Sequence, residues 1–279
     1  KKHSWLTKRR TNHTQTENTT MNKFLGTALA AAALTFTATS AIADEMVSET
    51  SAIDARIVKI KLDGVIELTV KQGATPSLTL YGEKRHLTKV TTSLSGDTLR
   101  IDNDESSWSF GGKKRQVRAE LTLPNLNEFT SEGVGATEVS GFTGDQITLA
   151  LDGAGSVKVT GNYKNINSRM GGVGSMTLNG GNSELVDLNM RGAGSITVNG
   201  QSRILRAKLG GVGSLDAKGL QSDTVDLDMT GLGGATVYAK NAASLRLSGL
   251  GSATVYGNPA SRNATARGTQ VHWAETPQD

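Results

Sequence analysis

Two carboxylates two residues apart, Asp226 and Asp228, have a spacing that could support chemistry. On a β-strand such residues share one face, about 7 Å apart. That lies within the roughly 5–9.5 Å that glycoside hydrolysis needs between its two carboxyl groups. Arg206, Lys208 and Arg246 fall about one repeat to either side, and bases beside acids favour ionised carboxylates, which spoils a general acid. The same five residues therefore suit charge ladders or a charged ligand face better than a hydrolase or lyase. Tyr238 and Tyr256 are a second candidate, with Thr236 and Thr254 two residues before them. Their rings could stack on sugars or a protein partner, or pack as a cross-strand pair beneath a C-terminal cap. A third is the aromatic–basic stretch "SSWSFGGKKRQ", where Trp108 and Phe110 adjoin Lys113, Lys114 and Arg115; it reads as an exposed loop.

Other chemistries find little support. After residue 43 the chain has two His, His86 and His272, far apart and without a ligand cluster, which argues against zinc. A calcium roll wants Asp after each G-x-G, but that position holds Ala136, Ser156, Ser175, Ser195, Ser214, Gly234 or Ser252. No catalytic residue, cofactor or metal is expected.

The elements that must hold these side chains follow from a repeat. "GVGSMTLNGG" looks like a phosphate loop, but related stretches start at 133, 153, 172, 192, 211, 231 and 249. A nucleotide fingerprint is needed once, between a strand and a helix. Recurrence every 18–20 residues without helical periodicity predicts a solenoid. Two, four and six residues before each first glycine lie apolar columns, such as Leu151–Met170–Met190 and Leu149–Ser168–Leu188. After the glycines come Val157–Met176–Ile196 and Val159–Leu178–Val198. Period-2 columns predict stacked parallel rungs with a filled bore. The middle residue of each G-x-G, such as Val173 or Leu232, is expected to tuck inside a corner where the period slips by one. Outward columns alternate in sign, as in Asp187–Arg206–Asp226 and Lys208–Asp228–Arg246, which would fix register.

The ends of the chain bear on location. Met21 opens "MNKFLGTALAAAALTFTATSAIADE", with Lys23, an apolar stretch over 24–36 and Ala41-Ile42-Ala43. That is a signal-peptide layout, shorter than the about 20 apolar residues of a membrane span. Cleavage is expected after Ala43, with residues 1–20 as upstream sequence. Six of the 30 Lys and Arg and one of the 26 acids precede Asp44. The remainder nets −1, which removes the argument for nucleic acid. A Cys-free chain carries neither disulfides nor an N-terminal lipidated Cys. A periplasmic or secreted protein without a transmembrane segment is expected.

Residues 53–125 show short strand patterns, "ARIVKIKL", "GVIELTV" and "QVRAELTLP", without the glycine repeat. "IKLDGVIELTVKQGATPSLTLYGEKRHLTKVTTSLSGDTLRID", then "VRAELTLPNLNEFTSEGVGATEVSG", then the G-x-G-S coils, resembles the putative auto-transporter adhesin head GIN domain family over roughly 53–257. The resemblance implies an all-β, right-handed helical fold in exported proteins, and it brings no catalytic residues. The fold expected is a parallel β-helix of about seven 19–20-residue coils, preceded by an irregular β segment continuous with it. Its divisions are a signal peptide at 21–43, an N-terminal β segment at 44–132, the glycine-repeat solenoid at 133–257 and a C-terminal cap at 258–279. In the cap Trp273 is expected to cover the last rung. The function expected is a non-catalytic, adhesin-like binding or scaffolding module of the cell envelope. Its partner would be an envelope protein or glycan, with homo-oligomers by end-to-end or face stacking. Autotransporters carry a C-terminal barrel of alternating strands; the sequence ends about 20 residues after the last coil, so periplasmic residence is expected over surface display.

Overall fold

The computed structural model describes residues 46–103 and 117–275, all within one compact unit, Ile42–Asp279. The signal-peptide segment and the aromatic–basic stretch lie outside the described residues.

The chain opens with β1 (Met46–Ala52), β2 (Lys59–Leu62), β3 (Ile66–Gln72) and β4 (Ser77–Glu83). A single helical turn, α1 (Lys84–Leu87), precedes β5 (Val90–Ser95), β6 (Thr98–Asn103), β7 (Val117–Leu123) and β8 (Glu128–Ser131). Alternation in "KIKL" and "IELTV" buries Ile60, Leu62, Ile66, Leu68 and Val70, so β2 and β3 each bury one face. Gly64, at φ 77°, turns the chain between them, and Val134 N donates to its carbonyl at 2.7 Å. These strands form a coil of the solenoid.

This coil does not lie at the end of the stack. On one side β2–β3 pairs in parallel with β6–β7, through Lys59↔Thr98 and Ile66↔Val117. On the other it pairs with β8 and β9 (Val134–Leu151), through Lys59↔Glu128 and Leu68↔Thr137. The segment read as irregular thus holds solenoid coils in permuted order. Asn103 completes the corner at the β6 end: its Oδ1 accepts from Val65 N at 2.7 Å and its Nδ2 donates to Val65 O at 3.0 Å. Antiparallel strands close this end, β4 on β7, β1 on β4 and β5 on β6.

From β9 onward each coil is one bent strand: β10 (Ala154–Met170), β11 (Val173–Met190), β12 (Ala193–Leu209), β13 (Val212–Met229) and β14 (Leu232–Leu247). All pair in parallel with their neighbours, Val157↔Met176↔Ile196↔Leu215 being one rung column. The apolar columns fill the bore; Leu188, Leu205 and Leu227 have no exposed surface. Burying each such side chain contributes about 1.5–3 kcal/mol. The alternation of 19- and 20-residue coils is absorbed away from the glycines, in register shifts such as that between Gly161 and Asn165. Hydroxyls line the inside of that second bend, where Ser183 Oγ donates to Tyr163 O at 2.7 Å and Ser202 and Ser222 share a 2.8 Å hydrogen bond.

The glycine corner differs from the sequence reading. Alternation continues unbroken through it, so Met170, Gly172, Gly174 and Met176 take the inward positions. Val173 points outward and is 61% exposed. A Cβ on Gly172 would lie 1.9 Å from Gly153 O, and one on Gly174, at φ 151°, would lie 1.8 Å from Gly155 O. Backbones approach so closely inside the bend that no side chain fits, and the aliphatic residue between the glycines is turned out.

At the far end β15 (Leu250–Tyr256), β16 (Ser261–Ala266) and β17 (Thr269–Trp273) continue the stack. β16 pairs with β14 and β17 with β15. Val271 and Trp273 pack, partly buried, against the core. The Arg262 guanidinium lies 5.1 Å from the Trp273 ring centroid, within cation–π range, and its Nε donates to Pro259 O at 3.1 Å.

Candidate functional site: two outward ladders

The glycine corner divides the candidate ligand residues between two faces. Before it, on β12 to β14, stand the charged residues in the ladder Arg206↔Asp226 and Lys208↔Asp228↔Arg246. The register read from the sequence is the register observed, yet contacts are selective. Arg206 Nη1 lies 3.5 Å from Asp187 Oδ2, and Lys158 Nζ lies 3.0 Å from Glu138 Oε1 on the face beyond the corner. Among the described residues Asp226 and Asp228 make no ion pair within 4 Å, so the neutralisation expected of them is not made by direct contact. Both are half-buried on regular strands joined by two-residue links. The two-residue links at this corner raise no loop over the acid pair.

Beyond the corner, Tyr238 pairs with Tyr256 and Thr236 with Thr254. Both rings are half-buried. Lys218 Nζ stands 4.9 Å from the Tyr256 centroid, a cation–π contact that the sequence reading missed. Further along this face Asn199 Nδ2 donates to Asn179 Oδ1 at 3.0 Å, and Asn179 Nδ2 to Thr160 Oγ1 at 3.3 Å. Amides, hydroxyls, a cation and two flat rings thus share one flat strip.

Two acids shifted in opposite directions lie elsewhere, at the corner position before the first glycine. Asp63 and Glu132 occupy it on adjacent rungs. Lys61 Nζ sits 2.8 Å from Glu132 Oε1 and Arg100 Nε 3.0 Å from Asp63 Oδ2. The Arg100 approach is off-line, and Asp63 Oδ2 is buried without a hydrogen bond. Burial, reinforced by the Glu132 charge and opposed by Arg100, pushes the Asp63 carboxyl above its ordinary value. The hydrogen bond from Lys61 holds Glu132 below its own. Nothing in the sequence pointed here, because Asp63-Gly64 reads as a plain turn. The buried acid Glu83 accepts from Arg85 Nε at 2.8 Å, with His86 Nε2 at 3.6 Å, which places His86 beside a buried carboxylate.

A parallel β-solenoid with filled bore and flat polar faces is the class that these features define. The chain belongs to the family described as "putative auto-transporter adhesin, head GIN domain", which matches residues 58–259. No curated protein matches the chain. Among solved structures it is similar to a putative adhesin from Parabacteroides distasonis, at 19% identity and TM-score 0.69, covering 83% of this chain and 98% of that one. A putative adhesin from Bacteroides fragilis gives 21% identity and TM-score 0.58, covering 82% and 97%. A putative lipid binding protein from Parabacteroides distasonis gives 18% and 0.61, covering 81% and 97%. At such identities the likeness is one of fold. Among the described residues no helix is long and apolar enough to cross a membrane.

Proposed function

We propose that the protein is an exported, adhesin-like binding module of the cell envelope that takes a glycan or an envelope protein on the outward ladder beyond the glycine corner and carries out no catalysis. The observation that carries this reading is the flat strip of Asn179, Asn199, Lys218, Tyr238 and Tyr256. It offers ring faces and amides at strand spacing, which suits an extended polar chain. Family membership and the adhesin descriptions of the structural relatives agree with it. In this reading the segment to Ala43 is a cleaved leader that delivers a periplasmic or secreted product, the binding module begins at Asp44, and residues 258–279 serve as its cap.

The test is binding to immobilised envelope polysaccharides and capture of partners from periplasmic extract. Tyr238→Ala with Tyr256→Ala should weaken binding about five- to a hundredfold, since two stacking contacts of about 0.5–1.5 kcal/mol each are lost. Asp226→Asn with Asp228→Asn should leave it nearly intact. Wild-type protein that shortens a polysaccharide, with loss of that activity in the acid double variant, would replace this reading with a polysaccharide-active enzyme. Mass analysis of native protein should find Asp44 at its N-terminus; a retained leader would remove the export part of the proposal.

A further inference from the structure

The residues turned out at the glycine corners form a continuous apolar ridge. Val65 pairs with Val134, and the column runs on through Ala154, Val173, Ala193, Val212, Leu232 and Leu250. Val173, Val212, Leu232 and Leu250 are 49–64% exposed. The ridge runs along the outside of the bend, and outward neighbours such as Gly171 and Ser175 are small, so the aliphatic groups stand proud. Eight rungs at about 4.8 Å make a line roughly 34 Å long. Exposed aliphatic groups in an unbroken row mark an interaction surface.

We propose that this ridge is a two-fold interface between two copies of the chain, packed antiparallel. The order of side-chain sizes selects this occupant. Run in reverse against itself with the dyad between the rungs of Val173 and Ala193, the ridge sets Ala154 against Val212 and Val173 against Ala193. Val134 then meets Leu232, and Val65 meets Leu250. Each small residue faces a larger one, and the contact is self-complementary, as a two-fold interface must be. Sliding by one rung either way sets alanine against alanine and leaves a gap.

Charge is compatible with this register but does not select it. A slide of one rung would set Arg191 directly opposite Asp152, which already pairs with Arg169 in its own chain. The order of side-chain sizes alone fixes the register. The two-fold that reverses the ridge also faces the column preceding the first glycines with its own reverse. That column is acidic at one end, at Asp63, Glu132 and Asp152, and carries Arg191 in its middle. Reversed, it brings Arg191 within one rung of Asp152 of the second copy and sets no acid opposite an acid. Arg191 is exposed and, among the described residues, makes no ion pair within 4 Å in its own chain. A ridge about 10 Å wide buries on the order of 350 Å² per copy, under half of the about 800 Å² of a standard interface, so the dimer is weak.

The chain has no cysteine, so introduced thiols report geometry cleanly. Under mild oxidation a mixture of Ala154→Cys and Val212→Cys proteins should form disulfide dimers. Either variant alone should not, because like residues then lie about three rungs apart. Sedimentation of the wild-type protein should show dimers dissociating on the order of 10–100 µM. Val173→Glu, at a site too exposed to disturb folding, should raise that constant at least about tenfold. Single variants that cross-link as well as the mixture, or wild-type protein monomeric to about 1 mM, would overturn the proposal. So would a monomer that co-sediments with phosphatidylcholine vesicles and loses this in Val173→Glu, which would assign the ridge to a lipid surface.

Discussion

Gly174 lies within one glycine corner and Gly210 directly before another, and they differ in what surrounds them. A Cβ on Gly174 meets backbone at 1.8 Å, in a left-handed conformation, whereas one on Gly210 finds nothing nearer than 3.6 Å. Gly174→Ala should therefore cost about 2–4 kcal/mol in denaturant unfolding, because backbone must move and strain is added. Gly210→Ala should stay within about 0.5 kcal/mol. Asp63 gives a pH test. Its carboxyl titrates higher in the folded chain than in the unfolded one, so ionisation weakens the fold. The penalty is absent well below the ordinary carboxylate range, appears as pH rises through the raised value, and is full at neutrality. Asp63→Asn should thus melt higher than wild type at pH 7 and equally near pH 3, by thermal unfolding across pH. An unchanged gap at both would show that Asp63 is not the titrating group. Of these sites the sequence disclosed only the glycines, since Asp63 acquires its environment from Arg100 and Glu132, distant along the chain.

At the scale of strands, what could be read followed from locality. Successive coils pair 19–20 residues apart, so columns such as Leu188, Ala207 and Leu227 line up by counting, and all are buried. Leu188→Ala should accordingly cost about 2–5 kcal/mol, against about 1 kcal/mol or less for Asp187→Ala, which breaks a surface ion pair. The misreading at the corner had the same root. Counting located the bend, but an apolar residue between two glycines was assigned to the core because of its type. Steric crowding of neighbouring backbones, invisible in one strand's pattern, decides that inward positions there carry no side chain. The permuted pairing of β2–β3 was equally hidden, because its partners in β6–β7 and β8–β9 lie 39–69 residues away with no shared motif. The ladder residues Asp226, Asp228, Tyr238 and Tyr256 were legible as neighbours; Lys218 was not, since its reach to Tyr256 depends on a flexible side chain.

For the molecule as a whole, stacked coils pair with adjacent coils, so stability is close to a sum of neighbouring interfaces and the ends open first. The two ends are unlike. Antiparallel β4, β1 and β5 cover the first coils, while β16 is exposed along its whole length and Trp273 of β17, beside Arg262, packs on the core next to Val255. Hydrogen exchange should be fastest in β15–β17 and slowest in β10–β12, and Trp273→Ala should speed exchange in β14 and β15 without affecting β3. Uniform protection from end to end would contradict this picture.

The permuted stacking also bears on the order in which a growing polypeptide can take shape. Residues 59–72 emerge early, yet they acquire no ladder neighbour until residue 98 has been made and are flanked on both sides only after residue 140. Each later turn, by contrast, waits for about twenty residues. Structure should therefore nucleate among the regular turns and spread backwards, leaving the first-made part of the chain to be zipped in after much of the rest has been synthesised.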